Sequence, residues 1–352
     1  MTDDVIGDAT AVVLARCRPA ELALTLGNLS VRVDSLHVER RAVSLPDYPG
    51  GPRPSCIVRL TGSGCSGLGE HVAFVEAEHD EFARWARAWL QTHRKNAELK
   101  VSAALGPDGT PYGRAALEAA LIDLGLRQAG LSLHELTGVR EAALRFVVSL
   151  AAHAEPQLMI QRLRAASYTG DLKLDVAPTW SDATLAELAR DPSIAVFDFK
   201  GRGDAAFAQR LASLSPHALF EDPPAGFEDR DASSTRISRD ASLLNARAVG
   251  AARARGEAVN LKAPRMGGPL ELLRGLDLAF DPRSTGARVT GYVGGMFEVG
   301  VGRSQARQLA ALYCSTAPND LSPNVASDEN PSRVRLSPPA RVRLDQPGFG
   351  SD

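Results

Sequence analysis

An α/β protein, a β/α barrel behind a smaller α+β domain, is what two patterns in this sequence predict. From Ala143 onward, short apolar strands alternate with amphipathic helices. Before that, glycine-punctuated strands at antiparallel spacing are followed by two helices. A length of 352 residues suits one large domain plus a smaller one.

Residues 1–30 read as a short helical extension. SLHVERRAVSL and SCIVRLTG then alternate apolar and polar residues around the turn-rich LPDYPGGPRP, and GCSGLGEHVAF follows as a third strand. The helices are EHDEFARWARAWLQTH and YGRAALEAALIDLGLRQAG, where Leu117, Leu121 and Leu124 share one face. In the later region the strands are LRFVVSL, LKLDV, IAVFDFK, ALFEDPP, TRISRD, AVNLKAP and VTGYVGG. Helices are expected through MIQRLRAA, DATLAELAR, AAFAQRLASL, LELLRGL and SQARQLAAL. Strands apolar on both faces and linked by helices imply parallel pairing, and at least seven such units favour a closed barrel. The tail from Pro318, rich in Pro, Asn and Ser, reads as a return across the first domain. The expected divisions are 1–140 for the extension and α+β domain, 141–325 for the barrel, and 326–352 for the returning segment.

Composition narrows function. A net charge of -2 points to no nucleic-acid or anionic-membrane partner. No apolar run approaches the roughly 20 residues of a membrane span, and Asp3, Asp4 and Asp8 are unlike a secretory signal. Cys17, Cys56, Cys65 and Cys314 lack CxxC spacing and read as reduced thiols of a cytoplasmic protein. The seven histidines do not pair at metal spacing, so transition-metal chemistry through His or Cys is not expected.

Chemistry in a β/α barrel lies at the C-terminal strand ends. Those positions hold Lys173 and Asp175 on strand two, and Asp198 and Lys200 on strand three. Glu221, Asp240 and Lys262 end strands four, five and six, and Glu298 follows Gly294 and Gly295 after strand seven. Asp198, Glu221 and Asp240 on successive strands could converge on one cation, and hard oxygen ligands suit Mg²⁺. The bland alternative is three unrelated carboxylates at the starts of the following helices. Lysines flanking the cation suit abstraction of the proton next to a bound carboxylate. Arg239 and Arg265 are placed to clamp a substrate carboxylate, but exposed arginines beside strand ends are common.

The order of GLGE (67–70), YGRAALEAALIDLGLRQAGLSLHELTG (112–138), LKLD, VFD, LFEDPP, SRDAS, NLKAPRMGG and GGMFEVGVGRSQA resembles the enolase superfamily. The resemblance is to its mandelate racemase and muconate lactonizing branch, over nearly the whole chain. It implies a modified TIM barrel of (β/α)7β form with an N-terminal α+β capping domain, whose 44–54 loop helps shape specificity. It also implies Asp198, Glu221 and Asp240 as ligands of Mg²⁺, Lys262 as the acid/base on one face, and Glu298 across the site. The substrate would be a small carboxylate, and even-numbered homo-oligomers are common in the family.

Three positions depart from the family pattern. Lys-x-Lys on strand two is Lys173-x-Asp175, Asp-x-Asn on strand three is Asp198-x-Lys200, and Ala241 replaces an acid after Asp240. The changes argue against two-base racemisation. Residues i and i+2 on a strand share a face, so an Asp175–Lys200 pair is expected, with Lys200 held protonated and Lys262 left as the base. The leading expectation is therefore a one-base lyase or cycloisomerase, of the muconate cycloisomerase or o-succinylbenzoate synthase kind. The rivals are a metal- and ligand-binding barrel without the ancestral catalysis, and a Schiff-base aldolase acting through Lys262.

Overall fold

The computed structural model of the protein describes residues 16–43, 52–93, 98–229, 236–280, 290–322 and 339–350. Residues 1–15 of the expected extension and 44–51 of the expected specificity loop lie outside them. Strands Ser35–Val43, Arg53–Gly62 and Cys65–His71 form a three-stranded antiparallel sheet. Its last strand lies against helix Pro111–Ala129, which the Thr110 side chain caps by accepting from Gly113 N–H at 3.1 Å. Contact is backbone to backbone. A Cβ on Gly67 would stand 2.3 Å from Ala120 O, and one on Gly69 2.0 Å from Ala116 O.

Seven strands, in order Val147–Leu150, Asp171–Asp175, Ile194–Asp198, Leu219–Glu221, Ile237–Arg239, Ala258–Leu261 and Gly291–Val293, pair in parallel as neighbours. They are the first to seventh barrel strands below. Asn319 and Asp320 complete the ring: Val147 N–H donates to Asn319 O at 2.9 Å, and Asp320 N–H to Val293 O at 3.0 Å. The curled parallel sheet and its antiparallel N-terminal partner are the expected (β/α)7β barrel and capping domain. Among the described residues one helix longer than five residues was not foreseen in the sequence, Ala246–Ala254, whose N-cap is Asn245. Its alanine-rich face lacks the larger apolar residues that marked the other helices.

The chain ends are sorted by packing. Helix Pro19–Gly27 reaches the barrel helix Pro269–Ala279, with Arg18 paired to Asp277 at 2.7 Å. The tail divides: Asn319 and Asp320 belong to the barrel, while Ala340–Arg343 pairs antiparallel with Glu141–Leu144. Further on, Phe349 N–H donates to Asp123 Oδ1 at 2.7 Å, and Asp123 Oδ2 accepts from Leu68 N–H at 2.8 Å. Buried Asp123 thus knits helix, sheet and tail together. Among the described residues no helix is long and apolar enough to cross a membrane.

The reading of the histidines and cysteines needs correction. Cys56, His71 and His79 converge, with one donor atom of each within 4.8 Å of the others. Sequence spacing missed them because two meet by cross-strand register and the third arrives from a helix.

Gly69→Ala should lower the unfolding free energy by about 1–3 kcal/mol, since strand or helix must retreat from the new methyl group. Urea unfolding measures it, and an unchanged midpoint would contradict the close packing.

Candidate active site

Alternation along the strands turns one set of side chains inward. On the second strand, Leu172 and Leu174 enter the core beneath the helices, while Lys173 is buried in the barrel with 3% exposure. Register puts Asp175 opposite Asp198, and Asp198 opposite Glu221, so three adjacent strands present carboxylates at one level.

Lys173 Nζ lies 2.5 Å from Glu221 Oε1, 3.1 Å from Asp198 Oδ2 and 3.4 Å from Asp320 Oδ2. Lys200 Nζ bridges Asp175 Oδ1 at 2.5 Å and Asp198 Oδ2 at 2.6 Å, the pairing expected from the exchanged residues. Lys200 does this from left-handed backbone, φ 51°, an uncommon conformation for a non-glycine residue. On the other side, Lys262 Nζ donates to Asp240 Oδ2 at 2.8 Å, and Arg265 donates to Asp240 Oδ1.

Glycines after the seventh strand make this side possible. A Cβ on Gly294 would meet Lys262 Cε at 2.7 Å, and one on Gly295 would meet Glu298 Oε2 at 2.7 Å. Glu298 accepts from Met296 N–H at 2.9 Å. The loop is held from the capping domain by Glu70, the acid of GLGE, which accepts from the N–H groups of Val299 (2.7 Å), Gly300 (3.1 Å) and Gly302 (3.0 Å). These groups open helix Val301–Tyr313, where an anion is favoured.

Several site residues escaped the sequence reading. Asp320 was assigned to the tail, yet it is held by Ser149 Oγ at 2.7 Å and faces Lys173. Asn260 Nδ2 and Tyr292 Oη donate to Glu221 Oε2 at 3.1 and 2.5 Å. Asn260 was detectable as the inward residue two before Lys262. Asp222 accepts from Asp240 N–H at 3.1 Å and Ala241 N–H at 2.8 Å, fixing the turn that carries Asp240.

Charge is tightly shared. Burial pushes the Glu221 carboxyl up to about 7, with Asp198 and Asp240 adding to the rise against the pull of Lys173. Burial would raise Asp198 too, but Lys173 and Lys200 more than offset it and hold it at about 2. For Lys173 and Lys200 burial is likewise outweighed, by Glu221 and Asp320 for the first and by Asp198 and Asp175 for the second, and both are raised. Ammonium groups now hold oxygens of Asp198, Glu221 and Asp240. The donors themselves, three hard carboxylates on consecutive strands, are of the type that suits Mg²⁺, but with the ammonium groups between them their oxygens do not all come within 4.8 Å of one another, so the expected convergence on one point is not what the side chains adopt here.

A family model described as the C-terminal domain of a domain of unknown function, DUF8230, matches residues 140–328, and its N-terminal counterpart matches 25–136. An N-succinylamino acid racemase of Thermus thermophilus is 28% identical over 309 residues, covering 77% of this chain and 78% of its own. The crystal structure of an enolase-superfamily member from Enterococcus faecalis has a TM-score of 0.67 at 24% identity, over 83% of this chain and 86% of that one. The muconate lactonizing enzyme of Pseudomonas putida has a TM-score of 0.62 at 20% identity, over 82% and 88%.

Lys173→Met should cost about 3–5 kcal/mol of stability in metal-free buffer, because it leaves buried carboxylates without their counter-ion. Guanidinium unfolding measures this. A loss below about 1 kcal/mol would mean the cluster does not depend on that ammonium group.

Proposed function

We propose that this chain, which belongs to the DUF8230 family, is an enzyme of the enolase superfamily, in its mandelate racemase and muconate lactonizing branch, and a one-base lyase or cycloisomerase acting on a small carboxylate, a reading supported by its racemase relative and its shared fold. The observation that carries the reading is the asymmetry of the amines. Lys262 stands alone with Asp240 and Arg265 on one side, whereas Lys200 on the other is bound between two carboxylates.

Asp198, Glu221 and Asp240 would hold Mg²⁺, which would supply positive charge for the substrate carboxylate. Lys262 Nζ takes the α-proton, and the C–H electron pair moves into the substrate carboxylate to give an enediolate. Lys173, kept as ammonium, offers charge to the developing anion. Lys200, also kept as ammonium by Asp198 and Asp175, is suited to donate a proton or stabilise charge and not to abstract. A single base favours elimination or cycloisomerisation, of the muconate cycloisomerase or o-succinylbenzoate synthase kind, over racemisation. Glu298 lines the site as a hydrogen-bonding group fixed by Met296 N–H.

The Asp175–Lys200 pair also favours a second reading, a barrel that binds Mg²⁺ and a carboxylate without turning it over. One screen separates them: deuterium exchange at the α-carbon of carboxylic acids, N-acylated amino acids, dipeptides and acid sugars, with Mg²⁺ or with chelator. Catalysis predicts exchange that needs Mg²⁺, falls at least about 100-fold in Lys262→Ala, and falls about tenfold in Lys200→Ala. Thermal stabilisation by Mg²⁺ with no exchange across the screen would favour the binding protein. Full exchange in Lys262→Ala would remove the proposed base.

A further inference from the structure

In the capping sheet, Cys56 and His71 are direct cross-strand partners, and His79 comes from the first turn of helix Glu76–His93. Their exposures are 0, 1 and 0%. Cys56 Sγ lies 3.3 Å from His79 Nδ1, and His71 Nδ1 lies 2.9 Å from the same atom. His79 Nε2 is 3.2 Å from Ala73 O, a contact open only to a nitrogen that carries hydrogen. Neutral His79 therefore has one lone pair, on Nδ1, and two neighbours compete for it. His71 Nε2 is buried without a hydrogen-bond partner. The group is poorly satisfied as a hydrogen-bond network. As a ligand set it is well prepared, with an imidazole oriented through its outer N–H by a backbone carbonyl.

We propose that Cys56, His71 and His79 bind one soft d¹⁰ cation, copper(I), in a three-coordinate site. Burial, with His79 and Arg53 contributing, holds the His71 imidazole down to about 3. His79 is lowered by burial and Arg40, so both rings can offer a lone pair at neutral pH. Burial pushes the Cys56 thiol up to about 11; binding forms the Cu–S bond and releases that proton to solvent. Metal bonds of about 2.0 Å to nitrogen and about 2.3 Å to sulfur in a trigonal site require separations of about 3.5 Å between the nitrogens and about 3.7 Å between nitrogen and sulfur. The observed 2.9 and 3.3 Å contacts then open by about half an ångström.

Charge selects the ion. One thiolate, two neutral imidazoles and copper(I) sum to zero among three buried side chains. A divalent ion would leave a net positive charge on the buried ligand set itself, whose nearby guanidinium Arg40 is already paired with Glu76 and Asp80. Soft sulfur favours the same ion, and burial leaves little room for the water that commonly completes a three-ligand zinc site.

The test uses the full chain, reduced, anaerobic and stripped of metal, titrated with copper(I) against a chromophoric copper(I) chelator. A parallel arm titrates Zn²⁺ against a zinc indicator. The expected result is one equivalent of copper(I) withheld from the chelator, with thiolate-to-copper ultraviolet absorption. Cys56→Ser and His79→Gln should each weaken binding about 100-fold or more, and Cys65→Ser should leave it unchanged. Should the variants fail to fold, copper-edge X-ray absorption of the wild type decides, with one sulfur and two nitrogens expected. No copper(I) retention, retention unaltered in folded Cys56→Ser, another ligand set, or tighter Zn²⁺ than copper(I) binding would overturn the proposal.

Discussion

An ammonium ion walled into the barrel, Lys173 Nζ, is the interaction on which the rest of the mouth depends. Parallel register forces Asp175, Asp198 and Glu221 to one level on adjacent strands, and closure of the ring brings Asp320 in from the far side. Carboxylates crowded at low exposure repel one another and lose hydration, a cost of several kcal/mol for each ion unless countercharge is close. Lys173 reaches three of them. The other cations complete the balance from the rim: Lys200 takes Asp175 and Asp198, and Lys262 with Arg265 takes Asp240. The mouth is thus an ionic lattice whose protonation states are set jointly.

The lattice needs a rigid frame, and the capping domain supplies part of it. Glu70 satisfies three N–H groups at the start of helix Val301–Tyr313, and buried Arg53 donates to Met296 O at 3.1 Å in the preceding loop. That loop carries Glu298, and its two glycines make space for Lys262 and Glu298. GLGE is therefore a structural signature as much as a family one. Its glycines let a helix lie on the strand, and its acid holds the loop that borders the site.

The exchange of residues between strands two and three is electrostatically coherent. The amine expected at 175 stands at 200 instead and an acid takes its place, so against the expected pattern the local charge falls by one, to a neutral set of two lysines and two aspartates, while the amine is moved outward and bound. Two carboxylates then hold Lys200 as ammonium, in a backbone conformation that the ion pairs help to stabilise.

Much of this was legible without coordinates. Strand alternation named the inward residues, because it is a property of backbone geometry; the Asp175–Lys200 pair forms as expected, but for another reason, since Lys200 lies past the end of the third strand in left-handed backbone, where i, i+2 alternation no longer applies. Asp320 was not legible: its two-residue rung is too short for a periodic pattern and lies in a proline-rich stretch that resembles a loop. Nor could spacing reveal Cys56, His71 and His79 as neighbours. By itself the sequence determined the fold class, the strand ends and the residues able to carry charge, since these follow from local periodicity. Only tertiary structure decided which charges meet, which oxygens each lysine holds and where the barrel closes, since those depend on contacts between strands distant in the chain.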